Sequence, residues 1–164
     1  AVTVNTWQHV AVIFNDTTDT ITFYSNGKQV GTGSTTYSLN PNNDALAIGK
    51  SYNPGGEFFP GKMDAIKIYP YARTSAQILS DYNSRGSVKG ASVNLGTAAA
   101  LDGAAPQVYL KMEEGSGTSA NDTSGNGRTG TLNGGSTWNS GKYGKGVKVD
   151  GVSGSNISVP DFTY

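Results

Sequence analysis

Residues 122–127 concentrate oxygen-bearing side chains in one short loop, which reads Asp-Thr-Ser-Gly-Asn-Gly. Hard cations such as Ca²⁺ prefer several oxygen ligands from carboxylates, amide carbonyls and backbone carbonyls in a flexible loop. Asp122, Ser124 and Asn126 offer such oxygens within a few residues, so the sequence predicts a structural calcium site here. The same residues also suit a loop of Asx turns without a metal, and the pattern alone leaves both interpretations open.

Side chains that could carry out catalysis are sparse. His9 is the sole histidine, and its place in a β-prone run predicts a packed or half-exposed strand residue. Glu113 and Glu114 are adjacent, so on a strand they would point to opposite faces and could not act as a carboxylate pair. The sequence has no cysteine, which excludes thiol catalysis, disulfides and Cys-ligated zinc. We therefore expect a non-catalytic protein.

The composition limits the partners and the cellular location. Twelve Lys and Arg balance twelve Asp and Glu, and the basic residues are scattered, which argues against nucleic-acid binding. No apolar stretch approaches the roughly 20 residues that cross a bilayer. A surface rich in Thr, Asn and Gly with 15% charged residues favours a secreted or cell-surface protein, bacterial or archaeal. Because the chain starts at Ala1 without a methionine, we expect a piece of a longer protein.

Local patterns predict many short strands and one helix. Asn26 and Gly27 predict a hairpin turn, because both residue types accept positive φ. A Ser/Thr cap followed by apolar residues predicts a short helix at 74–82. Small Gly- and Ala-rich residues at 84–106 indicate a linker or a long crossover. The predicted strands cover residues 7–14, 20–25, 28–33, 46–49, 63–69, 107–112, 147–151 and 155–159.

Several segments of the first half follow one another in a recognisable order. They are WQHVAV at 7–12, TFYSNGK at 22–28, AIGK at 47–50, FPGKMDAIKIY at 59–69 and YARTSAQI at 71–78. Together they resemble the C-terminal half of laminin G-like domains, which have the concanavalin A-like jelly-roll fold.

The second half resembles the beginning of the same family. Its segments are LKMEEGSGT at 110–118, DTSGNG at 122–127, GTLNG at 130–134, GKYGKGV at 141–147 and VDG at 149–151. The family's C-terminal half therefore precedes its N-terminal half. This order divides the chain into a C-terminal family half at 1–83, a linker or crossover at 84–106 and an N-terminal family half at 107–164.

The family's central strands are missing from both halves, and two arrangements would account for this. The chain could span two tandem repeats whose halves are completed by sequence outside it or by another chain. Alternatively, it could fold as one permuted and shortened sandwich. Unpaired strand edges would invite association unless they were covered, so sharing of strands between neighbouring units would produce a stalk or filament.

The resemblance implies an all-β antiparallel sandwich of the jelly-roll type with one short helix. It places the 122–127 loop beside the strand that holds Asp64, whose carboxylate would complete the calcium site. It implies a non-catalytic extracellular module that binds a glycan or a matrix component, or, as the alternative, a structural repeat that assembles with copies of itself. Glucanases of this fold carry an E-x-D-x-x-E motif, and this spacing is absent here.

Aromatic residues in the loop after residue 51 give two further alternatives. Jelly rolls often bind sugars on aromatic rings flanked by polar groups, and Tyr52, Phe58 and Phe59 would form such a platform. Alternatively, Phe58 or Phe59 would plug the mouth of the sandwich as a core residue.

Overall fold

The computed structural model describes residues 3–36, 45–51, 56–84 and 104–162. These residues form antiparallel sheets and one short helix, which confirms the predicted fold class. The elements are β1 (Val10–Asn15), β2 (Thr20–Ser25), β3 (Lys28–Ser34), β4 (Leu46–Ile48), β5 (Pro60–Met63), β6 (Ile66–Ile68), α1 (Ser75–Ser84), β7 (Val108–Leu110), β8 (Ser119–Ala120), β9 (Gly130–Asn133), β10 (Thr137–Ser140), β11 (Lys145–Asp150) and β12 (Asn156–Val159).

The chain divides into two compact units, each built from two stretches of sequence. The first unit comprises Ala1–Asn40 and Tyr71–Ala104, and the second comprises Pro41–Pro70 and Ala105–Tyr164. The predicted linker at 84–106 lies mostly outside the described residues.

The first unit contains the sheet β1-β2-β3, and a tight turn sets its register. Asn26 and Gly27 both have positive φ, at 50° and 76°, as the twist of a two-residue hairpin requires. A Cβ on Gly27 would lie 2.9 Å from the Leu79 side chain, so the helix residue packs closely against the turn.

Helix α1 begins with reciprocal capping bonds. The Gln77 amide donates to Thr74 Oγ1 at 3.3 Å, and the Thr74 amide donates to Gln77 Oε1 at 2.8 Å. This is the capping-box arrangement, which satisfies two N–H groups that the first helical turn leaves unpaired. Ile78 is buried, and Tyr24 on β2 joins its hydroxyl to Ser75 Oγ at 2.9 Å. The helix is thereby anchored to the sheet of its own unit.

The second unit contains sheets in the orders β10-β11-β5, β4-β12-β9-β8 and β6-β7. Each of the strands β4, β5 and β6 pairs with a strand that follows residue 107. β4 pairs with β12, β5 with β11 and β6 with β7, all antiparallel. Segments that resemble opposite ends of the family fold are thus hydrogen-bonded to each other.

One apolar core joins these sheets. Leu110, Val149 and Ile157, from β7, β11 and β12, have no exposed surface. Leu46, Met63 and Ile66 on the earlier strands pack against the same cluster. Each short strand buries little apolar surface by itself. The second unit is stabilised because side chains from several sheets bury their apolar surface in one common core.

The strand predicted at 63–69 is wrong as a single element. It is broken into β5 and β6, with Ala65 between them at a φ of 54°. A non-glycine residue in this region bends the chain, and the bend sends the two strands to different partners. β8, β9 and β10 were missed, because their segment is polar and rich in glycine and so lacks an alternating apolar signal.

The core predicts a difference between two matched valine truncations in the second unit. Val149→Ala removes two buried methyl groups and should destabilise the protein by about 2 kcal/mol. Val152 is 55% exposed, so Val152→Ala should change the stability by about 0.5 kcal/mol or less. Urea denaturation followed by far-UV circular dichroism measures both values. Equal losses would contradict the assignment of the core.

Candidate functional site

The Asp122 carboxylate is the centre of the predicted calcium loop, and protein donors surround it. Its Oδ1 accepts the backbone amides of Tyr109 and Ser124, each at 2.9 Å. Its Oδ2 accepts the Ser124 hydroxyl at 2.8 Å and the Arg128 amide at 2.9 Å. An ionised carboxylate has about four acceptor positions, and four donors occupy them here.

The rest of the loop is tied to the carbonyl oxygen of Gln107. This oxygen accepts the Ser124 hydroxyl at 3.2 Å, Asn126 Nδ2 at 3.1 Å and Arg128 Nη1 at 3.0 Å. Arg128 also bonds the Gln107 side-chain oxygen. The structure thus brings Asp122, Ser124 and Asn126 together, but through hydrogen bonds among themselves and to the chain entering β7.

Asp64 lies in a different set of contacts. Its Oδ2 accepts the backbone amides of Lys142 and Tyr143, at 2.9 and 3.1 Å. The carboxylate therefore caps the turn between β10 and β11. Of the four residues predicted to form one site, three share a hydrogen-bonded network and Asp64 is bound to another turn.

The described arrangement does not fit a calcium ion held by Asp122. Protein donors already occupy the acceptor positions of the Asp122 carboxylate. Asn126 points its side-chain nitrogen, rather than its oxygen, at the carbonyl of Gln107, and the cationic Arg128 side chain binds the same Gln107 carbonyl. Among the residues that the structure describes, no group of three or more His, Asp or Glu could hold a metal. The calcium site stays a prediction from the sequence, and it would require the loop to rearrange.

The adjacent acids Glu113 and Glu114 serve different loops. Glu113 Oε2 accepts the Lys145 amide at 2.9 Å, and Glu114 Oε1 accepts the Asn121 amide at 2.9 Å. Neither pairs with the other as a general acid and base would. Both side chains instead hold glycine-rich turns of the second unit.

His9 is half-buried immediately before β1, rather than inside a strand as predicted. Its ring lies against Tyr82 of the helix, with 5.9 Å between the ring centroids. The backbone amide of His9 is bound to Asn26 Oδ1 at 3.0 Å. These contacts give the residue a packing role at the hairpin.

The aromatic loop is closed by backbone pairing. Lys50 and Phe58 form a bridge, and the Phe59 amide donates to the Gly49 carbonyl at 2.9 Å. Phe58 is half-buried, whereas Phe59 is 46% exposed. A Cβ on Gly61 would lie 2.6 Å from Phe59 Cε1, so the ring rests directly on the Gly61 backbone. Tyr52, the third predicted member, lies outside the described residues.

Sequence reasoning missed several residues that build the loop and its surroundings. Arg128 and Gln107 support the 122–127 loop, and Lys67 and Lys111 lie over the Tyr109 ring. No local motif marks them, because Arg128 meets Gln107 across 21 positions of sequence and Lys67 meets Tyr109 only through the pairing of β6 with β7. Alternation along β6 and β7 would have placed Lys67 and Tyr109 on a common face once their pairing was known.

The environment of Asp122 shifts its pKa below the ordinary value of 3.8. Burial acts in the opposite direction and raises the pKa. The hydrogen bonds from the Tyr109, Ser124 and Arg128 amides and from the Ser124 hydroxyl together outweigh it, because they favour the ionised form.

Asp122→Asn tests this network. The substitution replaces one acceptor oxygen by an NH₂ group, so we expect a loss of about 1–3 kcal/mol in the free energy of unfolding at pH 7. Because the folded-state pKa is depressed, the wild-type advantage is fully present above the unfolded-state pKa and disappears as the pH falls through the lower folded-state value. Urea denaturation at a series of pH values from 7 downwards measures the difference in the free energy of unfolding between wild type and variant. Asp161→Asn is the control, because Asp161 is exposed. A pH-independent difference would contradict the role of the charge.

Calorimetry of the wild type and of Asp122→Asn tests whether the loop binds calcium. For the described arrangement we expect equal melting temperatures in calcium and in chelator, since protein donors occupy the carboxylate. A calcium-dependent rise that Asp122→Asn abolishes would establish the metal site instead, because anything that binds the folded state alone stabilises it.

Comparison with known families covers the first part of the chain. Residues 1–79 match the laminin G-like family model described as "Concanavalin A-like lectin/glucanases superfamily". The chain has no significant match among curated proteins or among solved structures. The matched region includes β1 to β6 and the first turn of α1. Residues 1–79, just under half of the chain, are therefore similar to laminin G-like sequences of the concanavalin A-like lectin/glucanase superfamily.

Proposed function

We propose that this chain is a non-catalytic extracellular module that binds carbohydrate, on a cell-surface glycan or a matrix component. The exposed ring of Phe59 is the observation that carries this proposal. Laminin G-like domains are typically non-catalytic, commonly extracellular and often bind carbohydrates, so the proposed role lies within the range of the family.

The position of Phe59 suits a sugar-binding platform. Exposing about half of a large aromatic ring has a free-energy cost that burial would remove. The ring is held on the Gly61 backbone, and its amide is fixed by the Gly49 carbonyl. A ring held in this way loses little conformational entropy when a flat apolar face of a sugar stacks on it. Phe58 would support the platform from its half-buried position, and Tyr52 remains its third predicted member.

The acidic residues of the second unit support the non-catalytic part of the proposal. Asp64, Glu113, Glu114 and Asp122 each accept backbone amides of a turn. A carboxylate that is needed to hold the fold is poorly placed to exchange protons with a substrate, because each change of charge would disturb the turn.

The extracellular location rests on composition and family. Charged residues make up 15% of the sequence, and Ser, Thr, Asn and Gly account for most of the remaining polar character. Within the described residues, no helix has both the length and the apolar character that a membrane crossing needs.

Phe59→Ala tests the platform. Loss of ring stacking should weaken glycan binding by about 3- to 10-fold, since such aromatic contacts contribute about 0.5–1.5 kcal/mol. A glycan array identifies a neutral ligand, and isothermal titration then measures its affinity. Tyr82→Ala is the control, because Tyr82 is an aromatic residue of the first unit with a similar exposure of 41%. Equal affinity of Phe59→Ala and wild type would remove Phe59 from the site, and an array without any bound glycan would overturn the proposal.

A second candidate function is assembly with copies of the same chain, and the outer face of β1-β2-β3 favours it. Val12 pairs with Phe23 across β1 and β2, and the two residues are 62% and 45% exposed. Val10 and Val30 add exposures of 63% and 57%. A contiguous exposed apolar face of this kind marks interaction surfaces on soluble proteins, and a repeat that assembles with copies of itself would need such a surface.

Sedimentation velocity over a range of concentrations tests this second function. The wild-type chain should form larger species as the concentration rises, and Val12→Lys should remain a monomer because its charge would be buried in the contact. Val152→Lys places the same charge at an exposed position on a turn of the second unit and should assemble like wild type. A wild-type chain that is monomeric throughout would exclude assembly through this face.

A further inference from the structure

Three asparagines of the chain stand immediately before a glycine, at positions 26, 126 and 133. An asparagine in this setting can react with its own backbone, because glycine has no Cβ that would keep the side chain away from the following amide nitrogen. The Asn-Gly sequence alone therefore favours the reaction at all three positions. The contacts in the folded chain differ between the three side chains and separate them in reactivity.

Hydrogen bonds hold the Asn126 side chain on the second unit. Its Nδ2 donates to the carbonyls of Pro106 and Gln107, at 3.3 and 3.1 Å. The same nitrogen also lies 3.1 Å from Ser124 Oγ, its third acceptor. The Asn126 amide group can turn towards the backbone only after it leaves these three acceptors.

The Asn133 side chain is held in a similar way on β9, where it is half-buried. Its Nδ2 donates to the Thr131 carbonyl at 3.1 Å and to Asn156 Oδ1 at 3.2 Å. The third acceptor is Ser158 Oγ at 2.9 Å. The backbone of Asn133 is also fixed, because the residue pairs with Asn156 of β12.

Asn26 has a different environment at the tip of the hairpin between β2 and β3. It is exposed, and its side chain has a single hydrogen bond, in which Oδ1 accepts the His9 amide at 3.0 Å. Within the described part of the chain, Asn26 Nδ2 has no hydrogen-bond partner, and neither has the backbone amide of Gly27. The amide group that would leave and the nitrogen that would attack are therefore both available.

The backbone of Asn26 also suits a cyclic intermediate. Asn26 has a φ of 50°, whereas neither Asn126 nor Asn133 has a positive φ. A five-membered ring between the side chain and the Gly27 nitrogen needs a ψ of about −120°, as at the first central residue of a type II′ turn. Type II′ turns have positive φ at that residue and join hairpin strands as type I′ turns do. Asn26 can therefore reach the ring geometry by rotation of one peptide group while the strands stay paired.

We propose that Asn26 is a site of spontaneous deamidation and that folding makes it more reactive than Asn126 and Asn133. The Gly27 nitrogen loses its proton to a solvent base and forms a bond to Asn26 Cγ. The bond between Cγ and Nδ2 then breaks, and Nδ2 takes a proton from solvent and leaves as ammonia. Water opens the resulting succinimide at either carbonyl, which gives aspartate or isoaspartate at position 26. The reaction consumes water, releases ammonia and involves no oxidation or reduction.

The two products affect the hairpin differently. Aspartate keeps an oxygen that can accept the His9 amide, as Asn26 does. Isoaspartate carries the main chain through the side-chain CH₂ group and so adds an atom to the turn. Because the two-residue turn sets the pairing of β2 with β3 and Gly27 packs closely against Leu79, the added atom should disturb both contacts. The reaction needs no partner, so it does not depend on the proposed carbohydrate binding.

Peptide mapping by mass spectrometry of protein aged at mildly alkaline pH tests the inference. Deamidation changes the peptide mass by the difference between OH and NH₂, and chromatography separates isoaspartate from aspartate. Each rate in the folded chain is divided by the rate of the same asparagine in chain unfolded in guanidinium chloride, which removes the influence of neighbouring residues. We expect this ratio to be at least about fivefold larger for Asn26, because the other two amides must leave two more acceptors.

Equal ratios at the three asparagines, a larger ratio at Asn126 or Asn133, or no product at position 26 would overturn the inference. Thermal melting followed by circular dichroism tests the effect on the turn. Freshly purified Asn26→Asp should melt close to wild type, whereas the isoaspartate fraction separated from aged protein should melt at a lower temperature. An isoaspartate fraction that melts with Asn26→Asp would contradict the predicted disturbance of the hairpin.

Discussion

The second unit depends on antiparallel pairs between strands that lie far apart in the sequence. β4, β5 and β6 are three or four residues long, and their backbone groups need partners that the adjoining sequence does not supply. Those partners are β12, β11 and β7. Closing such long loops costs conformational entropy, and the shared apolar core offsets that cost. The 122–127 loop and the loop that carries Phe59 belong to this framework.

Carboxylates stabilise the turns of a chain that has no disulfides. Asp122 gathers three backbone amides and one hydroxyl. Asp64 holds the turn between β10 and β11, and Glu113 holds the Lys145 amide at the start of β11. Asp150 acts similarly towards the Val152 amide in the turn before β12. Each of these bonds is charge-assisted and therefore stronger than a neutral one.

The surfaces proposed for binding differ in their chemistry. Phe59 presents an aromatic ring at the end of a closed loop, whereas the face around Val12 and Phe23 is apolar. The ring suits the flat apolar face of a sugar, because an aromatic ring can stack on it. The apolar sheet face suits a protein surface, since it offers few hydrogen bonds.

Strong local chemistry made part of the fold predictable. β2 was predicted with its observed bounds, and the Asn26-Gly27 turn and the capped helix formed where the sequence placed them. In each case neighbouring residues supply the whole cause: alternation, tolerance of positive φ, or a Ser/Thr cap. The residue types of the 122–127 loop likewise indicated a structured turn, although the sequence left open whether a cation or protein donors would fill it.

The tertiary structure decided what depends on residues distant in sequence. Ala65 bends the chain so that β5 and β6 take different partners, and no pattern within residues 63–69 encodes those partners. The donors to Asp122 come from Tyr109 and Arg128 as well as from its own turn, and Lys67 meets Tyr109 only through strand pairing. The sequence by itself therefore determined the residue types, the short-range turns and the similarity of the first 79 residues to the laminin G-like family. The long-range pairing determined which charges and rings come together, because contacts between distant residues exist only after the chain has folded.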